Sequence, residues 1–159
     1  MTTAPDPNSR ADQYLAAERE LFRTRQALVA SKEELHAFFE RALQRPSERG
    51  TALRLLLTLD PALSAPYFAT LVDLASVPYA DLDLAQEVVR RVPRSVIDAQ
   101  LEPEIEKLLA REDADAQVYR TLGELARELK PSLLPQIIER ARASTDPDIR
   151  EAADDLSQN

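Results

Sequence analysis

The single histidine, His36, is the first residue to consider for catalysis, because imidazole is the commonest general base and a frequent metal ligand. The sequence has one His, no Cys and two Gly among its 159 residues. It therefore lacks a thiolate nucleophile, a thiolate zinc site, an iron–sulfur cluster and a glycine-rich phosphate loop. His36 lies beside the apolar stripe of its segment with no evident base partner. We expect it to be a surface residue, and we expect no enzymatic activity, metal site or cofactor.

Short carboxylate pairs are the second feature that could suggest cation ligands. None of them continues into the Asp-x-Asp-x-Asp-Gly pattern of a calcium loop. Each falls just before a helical segment, where a carboxylate accepts amide hydrogen bonds and complements the positive end of the helix dipole. We therefore predict capping instead of metal binding, and dipole complementation for the alternating Glu102, Glu104 and Glu106. The pairs are Asp81/Asp83, Asp113/Asp115 and Asp146/Asp148.

The net charge of the chain limits the classes of partner that it can bind. The chain has 20 basic and 28 acidic residues, a net charge of −8 and an estimated pI of 4.8. Residues 61–159 carry the whole of this excess. A negative surface has the wrong sign for a phosphate backbone, so we expect no nucleic-acid ligand. No apolar run approaches the roughly 20 residues of a membrane span, and residues 1–8 do not resemble a secretion signal. We expect no membrane contact and a cytoplasmic location.

Apolar residues follow a helical spacing throughout, and no segment alternates as a strand would. After residues 10–30, the Ser31/Glu34 pair resembles a capping box and opens a helix that Pro46 stops. Each later segment is short and apolar on one side only, so it must bury its stripe against a neighbour in sequence. We predict an all-α protein, with further helices at 48–59, 66–76, 81–92, 102–112, 115–129, 132–144 and 147–157.

The N-terminal region differs from the rest. Residues 1–9 predict a flexible tail that ends at a capping box of Ser9 and Asp12. In the helix over 10–30, three apolar pairs recur at seven-residue spacing and form one narrow stripe. The stripe must dock, either by capping the chain's own helical array or by pairing with a second copy, which would make a homo-oligomer. The pairs are Tyr14/Leu15, Leu21/Phe22 and Leu28/Val29.

Two segments of the C-terminal half repeat. Pro103-Glu104-Ile105 recurs as Pro135-Gln136-Ile137, 32 residues later, and Val118 recurs as Ile149, 31 residues later. Periods near 30 to 47 residues built from helix pairs are typical of stacked solenoids, since one pair cannot bury its own apolar face. A compact irregular helical bundle is the alternative.

The last repeat, from Asp146-Pro147-Asp148-Ile149-Arg150 to Leu156, resembles the HEAT-repeat signature. The segment from Asp113 to Leu125 fits the same pattern more loosely, and residues 66–92 and 33–59 are more divergent still. The resemblance implies a short right-handed solenoid of stacked antiparallel hairpins over 32–159, with 10–31 as an N-terminal capping helix. It also implies that Asp115, Asp148 and Arg150 bond between neighbouring units.

The resemblance further implies a face of second helices that holds another macromolecule. Charged residues off the apolar stripes of these helices are the candidate partner-binding residues, although a solvated exterior would carry similar charges. We expect a non-enzymatic protein-binding module or adaptor, whose acidity would suit a basic protein partner. The candidates are Glu87, Arg90, Arg91, Glu124, Arg127, Glu128, Glu151, Asp154 and Asp155.

Two alternative functions remain open. An immunity or antitoxin type of inhibitor would use the same small acidic surface to block a basic protein. Some HEAT-like proteins are enzymes, and a bilin lyase is the member that no short motif excludes. The His-Glu motifs of the di-iron hydroxylases are missing, because Ala37 follows His36. The basic, aromatic groove of the alkylpurine glycosylases is missing as well, since the chain has no Trp and its repeat region is negative.

Overall fold

The structure, a computed structural model, describes residues 9–158 and is all-helical over that range. Helix accounts for 82% of the described residues, which contain no strand. The all-α prediction is confirmed. The predicted tail at residues 1–9 lies outside the described residues except for Ser9, which precedes the first helix.

Nine α-helices and two 3₁₀ segments make up the described chain. The 3₁₀ segments are Pro61–Tyr67, which leads into α4, and Pro131–Leu133, which leads into α8. The helices are α1 (Arg10–Ala30), α2 (Lys32–Ala42), α3 (Pro46–Thr58), α4 (Phe68–Leu74), α5 (Leu82–Arg91), α6 (Arg94–Leu109), α7 (Ala116–Leu129), α8 (Leu134–Arg142) and α9 (Pro147–Gln158).

The structure departs most from the sequence prediction in α6. The sequence predicts a helix over 102–112, but α6 begins at Arg94 and contains Pro103. Its buried stripe of Ile97, Leu101 and Ile105 continues across the proline without a break. Pro103 is exposed, so the helical hydrogen bond that it cannot donate is lost on the side that water hydrates. Continuous burial therefore outweighs the cost of one proline.

The helix caps predicted from the sequence are only partly confirmed. Asp115 caps α7 by accepting a hydrogen bond from the Val118 amide at 2.9 Å, and Asp146 accepts one from the Asp148 amide at 2.9 Å. The Ser31 hydroxyl accepts from the Glu34 amide at 3.4 Å. The predicted box at Ser9 is wrong, because its side chain makes no capping bond, and neither does that of Asp81 at the start of α5.

The chain divides into two compact units, Met1–Arg41 and Ala42–Asn159. In the first unit, α1 buries none of its 21 residues. Its apolar stripe is half-buried at Leu28 and Val29. The other four side chains of the stripe are among the large apolar groups exposed to solvent. These four are Tyr14, Leu15, Leu21 and Phe22.

In the second unit, every pair of helices with an extensive contact is adjacent in the chain or separated by one helix. Helix α4 packs on α5 and α6, α3 packs on α5, and α7 packs on both α8 and α9. The core consists mainly of Leu, Val, Ile and Ala side chains, with Phe68 and Tyr119 as its buried aromatic groups. Each helix thus buries its apolar stripe against near neighbours in sequence, as the short connections require.

Helices α7 and α9 pack closely at Gly123. A Cβ atom added there would lie 2.5 Å from Leu156 Cδ1 and 2.6 Å from Leu156 Cδ2. The absence of a side chain in the middle of α7 therefore lets Leu156 of α9 pack against the α7 backbone. Leu122, the preceding residue, is fully buried.

Candidate protein-binding surface

Helices α5, α7 and α9 carry all nine candidate partner-binding residues, and each helix has one buried face and one charged face. The buried face is formed by residues such as Val88 and Val89 in α5, Leu125 in α7, and Ile149 and Ala152 in α9. Because apolar and charged residues alternate with the helical period, packing of the first set turns the second toward solvent. The sequence pattern thus positions the candidate residues.

Arg90 of α5 joins two helices. Its Nε lies 2.9 Å from both Oε1 and Oε2 of Glu128 in α7, and its Nη1 lies 3.7 Å from Glu87 Oε2 in its own helix. Three candidate residues therefore form one ion-paired cluster between α5 and α7. All three side chains are solvated, so the cluster contributes modestly to stability and mainly fixes the positions of the charges.

Helix α7 makes a second set of links, to α9. Arg127 Nη2 donates to the Leu156 carbonyl at 2.7 Å, and Arg120 Nε donates to Asp155 Oδ2 at 2.7 Å. Arg91 of α5 donates to the Leu57 carbonyl of α3. Six of the nine candidates, counting those around Arg90, thus make polar contacts within the chain.

The remaining three candidates are Glu124, Glu151 and Asp154. All three are exposed, and none of their side chains makes a hydrogen bond or an ion pair to a residue that the structure describes. Glu124 lies one turn after Arg120, and Glu151 lies one turn before Asp155. Residues four apart share a helix face, so both carboxylates flank the Arg120–Asp155 pair. We call these three residues the acidic face.

Several arginines bond to the carboxyl-terminal turns of other helices, which the sequence analysis did not foresee. The last carbonyls of a helix lack partners within it and carry its negative dipole end, so a guanidinium there supplies both a donor and a positive charge. Four helices are capped in this way. The bonds run from Arg91 to Leu57 of α3, from Arg94 to Leu129 of α7, from Arg127 to Leu156 of α9, and from Arg140 to Leu109 of α6.

Each of these bonds joins two residues that are 29 to 35 positions apart in the sequence. The four arginine caps span 34, 35, 29 and 31 residues. Arg111 reaches Asp73 over 38 residues at 2.6 Å, and Lys130 reaches Glu102 over 28 residues at 2.9 Å. The separations bracket the 31- and 32-residue recurrences in the sequence, which are the signal that could have pointed to them.

Two further predictions from the sequence, both about charged residues, are wrong. Glu102, Glu104 and Glu106 lie in the second half of α6, so they do not complement the amino-terminal dipole of that helix. Arg150 donates to the carbonyls of Ser144 and Thr145 in the turn before its own helix, at 2.9 and 3.0 Å, and these local contacts replace the expected bond to a neighbouring unit.

Beside this network, a groove of about 740 Å³ is lined by Arg127 and Leu156 among other residues, and two further grooves lie nearby. One, of about 330 Å³, runs between α6 and α8 over an apolar floor that includes Ile105 and Ile137, with Glu106 and Glu139 among its lining residues. The other, of about 290 Å³, is lined by polar groups that include the Arg111–Asp73 ion pair. No grouping of three or more His, Cys, Asp or Glu side chains within residues 9–158 has the geometry of a metal site.

His36 and Tyr14 are the remaining titratable groups of interest in the first unit. His36 is exposed, and its Nε2 lies 3.2 Å from Glu40 Oε1. The pKa of the Tyr14 phenol is raised, because the phenol donates a hydrogen bond to the Glu18 carboxylate and the negative charge of Glu18 disfavours the phenolate. These are solvated contacts within single helices, and they do not form a catalytic pair.

Comparisons with known proteins found no match. No family model matches the chain, and neither a curated protein nor a solved structure shows significant similarity to it. Within the described residues, no helix is both long enough and apolar enough to span a bilayer. The fold and surface above are therefore the basis for any functional proposal.

Proposed function

We propose that this chain is a non-enzymatic protein-binding module that presents the acidic face of a short HEAT-like array to a basic protein. The array is supported by the packing of residues 42–158, in which helices make extensive contacts only with near neighbours along the chain. The polar bonds over 28 to 38 residues support it too, since a repeat of that length brings equivalent positions of successive units together.

One observation carries the binding proposal: the arginines are used inside the array, while the carboxylates of the acidic face are left without countercharges. An arginine that caps a helix directs its charge at neutral carbonyls, as Arg127 does at Leu156. Nearby Glu124, Glu151 and Asp154 are exposed, and their side chains make no ion pair with any residue between 9 and 158. A fixed cluster of unpaired charge steers and orients a partner of opposite sign.

The neighbouring ion pairs favour recognition by a fixed surface. Arg120 and Arg127 tie α7 to α9, and both bonds are 2.7 Å long. The three carboxylates therefore keep their spacing before a partner arrives, which reduces the ordering cost of association. An adaptor would leave the partner's own activity unchanged, whereas an inhibitor of the immunity type would abolish it.

The test compares three baits in quantitative pull-downs from the source organism at low and moderate salt. The first bait is the unaltered chain, and the second carries Glu124→Gln, Glu151→Gln and Asp154→Asn. The third is a matched control that loses three exposed carboxylates elsewhere, through Glu106→Gln, Glu112→Gln and Glu139→Gln. Each protein captured by the unaltered chain is then purified and titrated against all three.

We expect one basic protein to bind the unaltered chain and the control alike, and to bind the acidic-face variant at least about tenfold more weakly, a loss of roughly 1.4 kcal/mol. Added salt should weaken the first two complexes. Equal affinity of all three baits would contradict the assignment of the acidic face. An assay of the purified partner's activity with bound chain then separates the adaptor from the inhibitor.

A further inference from the structure

Helix α1 carries four large apolar side chains that are exposed. Tyr14 is 64% exposed, Leu15 49%, Leu21 52% and Phe22 61%. Single exposed apolar residues are ordinary, but these four lie along one helix. Contiguous exposed apolar surface marks an interaction site.

The stripe has a seven-residue period, which is the period of helices that pair with other helices. Apolar pairs occur at 14/15, 21/22 and 28/29. A strict seven-residue repeat keeps a stripe straight only when two helices coil around each other, because a lone α-helix has 3.6 residues per turn. The pattern therefore indicates a helical partner.

The order of residues along the stripe identifies that partner. The midpoint of the three apolar pairs lies between Leu21 and Phe22. Apolar residues occur at equal distances on both sides of this point, so the stripe has the same pattern when it is read in the opposite direction. The outer apolar pairs exchange places, and the central pair maps onto itself. Glu18 and Arg25, which lie along the centre of the stripe between the pairs, also exchange places. An antiparallel copy of α1 thus sets apolar pairs against apolar pairs and opposite charges against each other.

The two charges also determine the orientation. In a parallel, in-register pair, Glu18 would face Glu18 and Arg25 would face Arg25, which places like charges inside the seam. In the antiparallel pair, each Glu18 faces an Arg25. Within the single chain, Glu18 holds the Tyr14 hydroxyl, and the Arg25 side chain has no hydrogen bond or ion pair to a described residue. Arg25 is therefore free to take a carboxylate from another molecule.

We propose that α1 is a self-association surface that pairs with α1 of a second copy in an antiparallel two-helix coiled coil. Two symmetric Glu18–Arg25 pairs, on either side of the Leu21/Phe22 layer, set its register. The stripe has only three repeats, so we expect a reversible, concentration-dependent dimer. This proposal is independent of the acidic face, because it uses no residue of 42–158.

The test is sedimentation equilibrium of the full chain from low micromolar to near-millimolar concentration, with charge-reversed variants. We expect the unaltered chain to form a dimer. Arg25→Glu should raise the dissociation constant at least about tenfold, because it replaces two attractive contacts by two repulsive ones. Glu18→Arg should do the same. The double variant with both changes should recover the dimer, since the swap preserves complementarity only in the antiparallel pair.

Leu21→Ser should also abolish the dimer, while Leu63→Ser, which changes an exposed leucine in the second unit, should leave it intact. Circular dichroism of dilute protein checks that each variant keeps its helices. A chain that stays monomeric at the highest concentration would overturn the proposal. So would a dimer that Arg25→Glu and Leu21→Ser leave unchanged, or failure of the double variant to recover it.

Discussion

Helices α1 and α7 are both amphipathic in sequence, yet they use their apolar residues in opposite ways. Half of the 14 residues of α7 are buried, whereas none of the 21 residues of α1 is. Helix α7 packs on α8 and α9, which are the next two helices along the chain. The comparison teaches that apolar spacing identifies the face of a helix but not its partner. The apolar face of α7 is buried against the helices that follow it, whereas Tyr14, Leu15, Leu21 and Phe22 of α1 are exposed.

The charged residues of α7 and α1 also differ in what they bond to: arginines of α7 bond to another helix, whereas an arginine of α1 bonds within its own helix. Arg120 and Arg127 of α7 bond to residues of α9 that lie 35 and 29 positions later in the sequence. In α1, Arg23 pairs with Glu20 three residues away, at 3.4 Å, and both side chains are well exposed. The links between α7 and α9 fix the positions of these two helices, while the α1 pair supports only its own helix.

The largest expected difference comes from placing a carboxylate on each apolar face. Leu122→Asp puts a charge at a fully buried position, and we expect it to lower the free energy of unfolding by several kcal/mol, on the order of 3 to 5. Leu21→Asp changes a residue that is 52% exposed and should shift stability by less than about 0.5 kcal/mol in dilute protein. Urea denaturation followed by circular dichroism measures both. Similar losses in the two variants would contradict the burial contrast.

A smaller effect should follow removal of an arginine. Arg127→Ala deletes the cap on the last turn of α9, and we expect a loss of about 1 to 2 kcal/mol, since the bond is charge-assisted and partly buried. Arg23→Ala removes only an exposed pair within α1 and should cost no more than about 0.5 kcal/mol. Thermal melting of the two variants sharpens the comparison. An Arg127→Ala protein as stable as the parent would mean that the arginine caps do not stabilise the array.

The smallest predicted contrast concerns the amino-terminal caps. Asp115→Ala removes the acceptor for the Val118 amide, and we expect a loss of about 1 kcal/mol. Ser9→Ala should change stability by no more than a few tenths of a kcal/mol, because the Ser9 side chain makes no capping bond. The two midpoints of urea unfolding provide the measurement. Equal shifts would show that Ser9 caps α1 after all.

Much of the helical pattern could be predicted from the sequence, because most helices begin and end at local signals. The bounds of α1 match the prediction at both ends, and those of α7 lie within one residue of it. Prolines and capping carboxylates mark such ends whatever the helix packs against. The exception is α6, where the buried stripe through Leu101 and Ile105 overrides Pro103. A local breaker signal could not reveal that the proline would face water.

The candidate surface was less predictable. The charged residues of α5, α7 and α9 were placed correctly off the apolar stripes, but sequence spacing could not separate those that bond within the chain from those that do not. Arg127 and Glu124 lie three residues apart and both look solvated in the sequence. Only the position of α9 shows that Arg127 reaches Leu156, while the Glu124 side chain makes no bond to a described residue. A pairing across about 30 residues depends on the tertiary packing.

Hydrogen exchange along the full chain at two protein concentrations tests the contrast between α1 and α7 most directly. In dilute protein, we expect the amides of α7 to exchange near the rate of global unfolding, and those of α1 to exchange much faster because none of its residues is buried. At high concentration, protection should rise in α1 and stay unchanged in α7. Equal protection of the two helices in dilute protein would contradict the account, and so would an α1 that gains no protection at any concentration.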